Sequence, residues 1–174
     1  MALHWKVIMN KAIFLVTAML FACNINQKKD MGLSLLSKLD SIESRVSISP
    51  YPGDLMNDTL FLAIYNNPAT YLDSITYYMI SDKISEEQKL ICVFAMQKLD
   101  SNSYATFALN GINGFRDSLL SEFVIDRILY PRPWKPRMNE LKGNSKLLEA
   151  IQSLTNDNKV SKQLSNLIMK DLSQ

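Results

Sequence analysis

Histidine, cysteine, glycine and proline are all scarce in this sequence of 174 residues, which contains one histidine, two cysteines, five glycines and six prolines. Two cysteines exclude a scaffold held together by several disulfides. So few glycines and prolines exclude collagen-like and low-complexity sequences. The remaining composition, with 47% apolar and 21% charged residues, is that of an ordinary globular domain large enough to bury its own core.

The apolar run over residues 12–22 is too short to span a membrane. Eleven helical residues extend about 16 Å, half of a ~30 Å hydrocarbon core. Two basic residues, Lys6 and Lys11, precede the run, and a small residue, Ala22, ends it. This order is typical of a secretory signal peptide, so residues 1–22 are predicted to be a targeting segment.

The end of this run, Leu20-Phe21-Ala22-Cys23, resembles the lipobox of bacterial lipoproteins. Leu20, Ala22 and Cys23 fit the aliphatic, small and cysteine positions of that pattern, whereas Phe21 is bulkier than the usual residue. The resemblance covers only residues 1–23. It implies that Cys23 is acylated on sulfur, becomes the first residue after cleavage, and is acylated on its new amino group. An ordinary secretory signal cleaved near Ala22 is the alternative.

The lipoprotein resemblance also implies a location in the bacterial cell envelope. Several acyl chains anchor a protein stably, whereas one chain binds only marginally. Residues 24–30 are mostly polar, and residues 23–32 are predicted to be the lipidated cysteine and a tether between the membrane and a single helical domain over residues 33–174. Asn24 is not the aspartate that retains enterobacterial lipoproteins in the inner membrane. The outer membrane is therefore favoured, with the domain facing the periplasm or the cell surface.

Cleavage after residue 22 would leave 152 of the 174 residues and would balance 17 basic with 17 acidic residues. The only histidine, His4, would be lost. Without histidine the domain has no Ser-His-Asp or Cys-His machinery and no histidine-containing zinc or copper site. The second cysteine, Cys92, lies in an apolar helical run and is expected to be a buried core residue. Neutral charge argues against nucleic acid as a partner, and no cofactor-binding motif is present, so no cofactor is expected.

A carboxylate-dependent enzyme, such as a glycosidase, needs only two acidic residues at a suitable separation. Three pairs are candidates: Asp54 with Asp58, Glu86 with Glu87, and Glu122 with Asp126. The first and last pairs are four residues apart, which would place both carboxylates on one helix face. Structural roles in capping and surface ion pairing are the favoured interpretation of all three pairs.

Helical periodicity extends over residues 33–172. Apolar residues recur at steps of three and four, and no segment alternates with the period of two that a half-buried strand requires. Short loops between helices favour antiparallel neighbours. We therefore expect an all-α fold: a compact bundle of about seven short antiparallel helices, with a stack of HEAT-like or TPR-like helix pairs as the alternative.

Short polar side chains before apolar runs mark the predicted helix starts. The expected N-caps are Asp54, Ser85 with Gln88 in a capping box, Ser145 and Ser161. Pro68 suits the first turn of a helix.

Glycines mark one predicted helix end. Gly111 and Gly114 suit the C-terminal turn of a helix over residues 102–112, after which another helix is predicted over residues 115–130.

The segment over residues 130–138 is the strongest candidate for recognition. It contains three of the six prolines, the only tryptophan beyond the signal, and three cations. Prolines reduce the entropy lost on binding, and tryptophan and arginine are enriched in binding hot spots. The predicted partner-binding residues are Arg132, Trp134, Lys135 and Arg137. In the alternative, Trp134 folds back onto the core and the cations are only solvated.

These patterns together predict a lipid-anchored, non-catalytic helical binding protein of the envelope with a protein partner. A more specific hypothesis is an immunity protein that inhibits a periplasmic toxin; type VI secretion amidase immunity proteins are small and mainly helical, but no motif is shared with them. A carboxylate-dependent cell-wall or glycan hydrolase that uses Glu122 and Asp126 is one alternative, and an envelope assembly scaffold is another.

Overall fold

A computed structural model describes residues 35–46, 52–132 and 134–174. The predicted signal peptide, Cys23 and the tether lie outside these ranges. The chain divides into two units, Met1–Ser37 and Lys38–Gln174, and only residues 35–37 of the first unit are described. The second unit holds all other described residues.

Every regular element in the described ranges is helical, and none of those residues forms a strand. The predicted all-α fold is confirmed. Nine α-helices, in place of about seven, lie in the described ranges: α1 (35–43), α2 (Thr59–Tyr65), α3 (Pro68–Met79), α4 (Glu86–Ala95), α5 (Ser101–Arg116), α6 (Glu122–Leu129), α7 (Met138–Leu141), α8 (Ser145–Leu154) and α9 (Lys162–Leu172). Two short 3₁₀ helices, Pro52–Asn57 and Met96–Lys98, join them.

Several predicted helix starts are confirmed. The Ser85 hydroxyl accepts a hydrogen bond from the Gln88 N–H, and the Gln88 side chain accepts one from the Ser85 N–H, which completes the capping box. Ser161 caps α9, and Pro68 begins α3. The predicted cap at Ser145 is wrong by one residue, because the preceding Asn144 side chain accepts the Leu147 N–H.

The predicted cap at Asp54 is wrong. Residues 52–57 form a 3₁₀ helix, and Asp58 caps α2 instead by accepting the backbone N–H groups of Leu60 and Phe61 at 2.8 and 2.9 Å. The Arg45 guanidinium pairs with the same carboxylate at 2.7 Å. Burial raises the pKa of Asp58, but the Phe61 N–H and Arg45 outweigh it and hold this pKa below the ordinary value. Asp58 therefore joins the segment after α1 to the start of α2.

The predicted helix end at Gly111 and Gly114 is also wrong, because α5 continues through both glycines to Arg116. A Cβ atom on Gly111 would lie 2.6 Å from Cδ1 of Ile128 in α6. A Cβ on Gly114 would lie 2.8 Å from Cγ2 of Ile80. The glycines thus permit close packing, and α6 begins only at Glu122.

Helix α5 packs against α3, α6, α7 and α8 and forms the centre of the second unit. Its Tyr104 is fully buried, donates its hydroxyl proton to the Ile128 carbonyl and accepts a hydrogen bond from Gln97, both at 2.8 Å. Helix α6 packs against α4 and α5, whereas α9 packs against α8. The helices α6 and α9 therefore sit on different neighbours, and a cavity lies between them.

Candidate functional site

The predicted recognition segment leaves α6 after Leu129 and ends at α7. Its four predicted binding residues have different environments. Arg132 and Lys135 are exposed, Trp134 is half-buried and Arg137 is buried, while Pro133 lies outside the described residues.

Trp134 packs on the aromatic side chains of α2 and α4. Its indole ring stacks on Phe94, with ring centroids 5.0 Å apart and an interplanar angle of 23°. The indole N–H donates a hydrogen bond to the Tyr65 hydroxyl at 3.3 Å. Trp134 therefore folds back onto the core, which is the alternative that the sequence analysis gave for this residue.

Arg137 holds the end of the segment. It is 8% exposed, and its Nη2 lies 2.6 Å from Oε2 of Glu140. Its guanidinium lies over the Tyr104 ring, 4.1 Å from the centroid, and Nη1 donates to the Gln97 carbonyl at 3.4 Å. The hydrogen bond from Arg137 holds the pKa of Glu140 below its ordinary value, with a further contribution from the Ser101 hydroxyl.

Arg132 and Lys135 remain as the outward cations of the segment. Neither forms an ion pair with another residue in the described part of the chain. Trp134, which is packed on Phe94, lies between them in sequence. We call Arg132 and Lys135 the cationic pair.

The cavity between α6 and α9 has a volume of about 600 Å³. Its charged lining consists of Glu122 and Asp126 from α6 and Arg132 from the cationic pair. Apolar side chains also line it, among them Phe123 of α6 and Leu164 of α9. The cavity therefore combines both signs of charge with an apolar wall.

Glu122 performs a structural role at the edge of this cavity. Its carboxylate accepts hydrogen bonds from both the backbone N–H and the hydroxyl of Ser161, the N-cap of α9. It therefore ties the start of α9 to the start of α6.

Asp126, the other carboxylate in the cavity, contacts an arginine on its own helix. Its Oδ2 lies 3.5 Å from Nη1 of Arg127, whose guanidinium stacks over Phe123 at 5.0 Å. Burial raises the pKa of the Asp126 carboxyl above its ordinary value, while Arg127 and Arg132 act in the opposite direction. Unlike Glu122, the Asp126 carboxylate accepts no hydrogen bond from another described residue, and its partner is the Arg127 guanidinium.

The other predicted acidic pairs lie outside this cavity. Asp58 caps α2, as described above, and Asp54 is exposed. Glu86 accepts a hydrogen bond from the Ser121 hydroxyl at 2.6 Å, and Glu87 is exposed. These environments agree with the structural interpretation of both pairs.

Cys92 is fully buried, as predicted, and burial raises the pKa of its thiol to about 12. It is therefore a neutral core residue at physiological pH.

Sequence reasoning identified Glu122, Asp126 and Arg132 separately but missed the cavity that they share. The wall from α9 carries no sequence signal beyond its amphipathic pattern. The juxtaposition arises from long-range packing, which spacing along the chain does not encode.

The described residues contain no group of three histidine, cysteine or acidic side chains arranged to hold a metal ion. Of the helices described, none has both the length and the apolar content required to cross a bilayer. No protein-family model, curated protein or solved structure matches this chain.

Proposed function

We propose that this protein is a lipid-anchored, non-catalytic binding protein of the bacterial envelope that recognises an acidic protein surface through its cationic pair. The observation that carries the proposal is the environment of Arg132 and of residues 134–137. Trp134 is stacked on Phe94, and Arg137 is buried against Glu140. Both anchors face the core, and the two exposed cations face outward.

This arrangement lowers the cost of binding. A loop that is already ordered loses little conformational entropy when a partner docks, so its contacts are retained as affinity. Exposed cations also steer an acidic partner during encounter, which raises the association rate more than the affinity. The proposal thus assigns Trp134 and Arg137 a positioning role and assigns partner contact to Arg132 and Lys135.

The more specific form of the proposal is an immunity protein that blocks a periplasmic toxin. An inhibitor of this kind needs a rigid surface that enters or covers the toxin's cleft, and it needs no chemistry of its own. The predicted anchor at Cys23 would keep it in the compartment where the toxin acts. Metabolic labelling with a palmitate analogue tests the anchor: we expect label on the wild-type protein, and label that persists in Cys23→Ser would contradict it.

Photo-cross-linking in intact cells tests the binding surface. A benzophenone amino acid is placed at Arg132, at Lys135 and, as a control, at Tyr77, which is 52% exposed on α3. We expect one discrete adduct from the first two positions and none from Tyr77. A secreted hydrolase in that adduct would support the immunity form. Adducts with several envelope proteins would support the scaffold, and equal adducts at all three positions would contradict the proposed surface.

A carboxylate-dependent hydrolase is the second candidate, and one observation favours it. Glu122 and Asp126 both line the cavity, and the raised pKa of Asp126 would suit a general acid. Against it, the Glu122 carboxylate already accepts two hydrogen bonds from Ser161. Digestion of purified cell wall distinguishes the candidates. We expect no products from the wild type, whereas products that disappear in both Glu122→Gln and Asp126→Asn would establish the hydrolase.

A further inference from the structure

The cavity between α6 and α9 is lined by side chains of both charges. Asp126 and Arg132 both line it, yet no ion pair joins them among the described residues. Asp126 forms an ion pair with Arg127 at 3.5 Å, which is longer than an ordinary hydrogen bond, and its side chain is 22% exposed. A partly buried carboxylate and a guanidinium that face one space leave room for a ligand that pairs with both.

Apolar side chains in the cavity wall suit an apolar group on such a ligand. Phe123 is 44% exposed, and Leu164 and Leu167 line the same space from α9. Arg127 stacks over the Phe123 ring at 5.0 Å and supports its position. An apolar group of a ligand would cover this wall and remove it from water. Glu122 is engaged by Ser161, so Asp126 is the carboxylate left for a cationic group.

We propose that this cavity binds a small zwitterion with an apolar side chain, namely an amino acid or short peptide, with its ammonium at Asp126 and its carboxylate at Arg132. A cavity of about 600 Å³ lies within the ~300–1,000 Å³ typical of small-ligand sites. The assignment goes beyond the proposed partner surface and requires no second protein. Of the cationic pair, it uses Arg132 alone.

Calorimetric titration of the full-length protein with leucyl-leucine tests the assignment. The free dipeptide is compared with its N-acetylated form and its C-terminal amide. Each blocked form removes one charge and leaves a cavity group unpaired, so we expect each to bind about tenfold to a hundredfold more weakly. Equal binding of all three forms, or absence of binding by the free dipeptide at millimolar concentration, would overturn the proposal. These comparisons need no variant and are independent of protein folding defects.

Variants then assign each end of the ligand. In Asp126→Asn, we expect the free and the N-acetylated dipeptide to bind equally, whereas amidation should still weaken binding. In Arg132→Gln the reverse is expected. The exposed α8 residues Glu149 and Lys146 give the matched controls Glu149→Gln and Lys146→Gln, which should behave as wild type. Unchanged discrimination in both cavity variants would overturn the assignment. Cross-linking at Lys135 tests the partner surface separately, so the failure of one proposal is distinguishable from the failure of the other.

Discussion

Arg137→Met is expected to lower the free energy of unfolding by about 1–2 kcal/mol. The guanidinium is buried between α7 and the core, where it pairs with Glu140 at 2.6 Å and lies 4.1 Å from the Tyr104 ring centroid. Methionine keeps an unbranched apolar side chain in this space, so the variant tests the charge and not a cavity.

The magnitude follows from the exposure of each partner. The Glu140 side chain is 44% exposed, so its ion pair with Arg137 is screened and contributes about 1 kcal/mol at most. The contact with Tyr104 is desolvated, because Tyr104 is fully buried, and adds about 1 kcal/mol. The hydrogen bond to the Gln97 carbonyl is long, at 3.4 Å, and adds little.

Urea unfolding followed by circular dichroism measures this loss. The matched control is Arg132→Met, which removes an exposed cation and should change the unfolding free energy by less than about 0.5 kcal/mol. The pKa of Glu140 is lowered from 4.5, so its pairing stabilises the fold above that value and is lost as pH falls through the folded-state pKa. The difference in free energy of unfolding between wild type and Arg137→Met should therefore decrease below about pH 4.5. Equal unfolding of the two variants, or a difference independent of pH, would refute the reasoning.

Three further predictions concern the fold. Gly111→Ala places a Cβ 2.6 Å from Cδ1 of the fully buried Ile128 and should lower the free energy of unfolding by about 1–3 kcal/mol, although alanine favours helices. Ile128→Val removes that Cδ1 atom, so in a double-mutant unfolding cycle it should reduce the cost of Gly111→Ala. Strictly additive effects of the two substitutions would contradict the close contact. Asp58→Ala should lower the free energy of unfolding by about 1–2 kcal/mol through the lost cap. Because the pKa of Asp58 is lowered from 3.8, the higher stability of the wild type, measured by acid titration, should disappear as pH falls below that value. A stability difference that persists in acid would contradict the role of the Asp58 charge. Cys92 should react with a thiol reagent only in denaturant, because it is fully buried, and rapid reaction of the native protein would show that the site opens.

Local signals in the sequence were sufficient for the helical class and for several caps. The Ser85–Gln88 capping box depends only on residues three apart, so the pattern alone determined it. Asp54 and Asp58 both lie shortly before apolar residues, and the sequence pattern favoured Asp54, although Asp58 is the cap that forms. The Arg45 side chain contacts Asp58, and this tertiary contact accompanies the cap that forms.

Contacts between distant elements account for what the sequence pattern missed. Gly111 was interpreted as a helix terminator, but its role depends on Ile128, which approaches it from another helix. The recognition segment was identified as a whole, whereas the split into two anchors and two outward cations depends on Phe94 and Glu140. The cavity depends on α9 lying opposite α6, and no spacing within either helix predicts it.

The affinity of the cross-linked partner for purified variants tests the central claim most directly. We predict that Arg132→Gln with Lys135→Gln weakens binding about tenfold or more, mainly through slower association, and reduces its salt dependence. The control pair, Lys146→Gln with Lys170→Gln, removes the same charge from exposed positions on α8 and α9 and should leave affinity unchanged. Equal affinities for the two double variants would contradict the account.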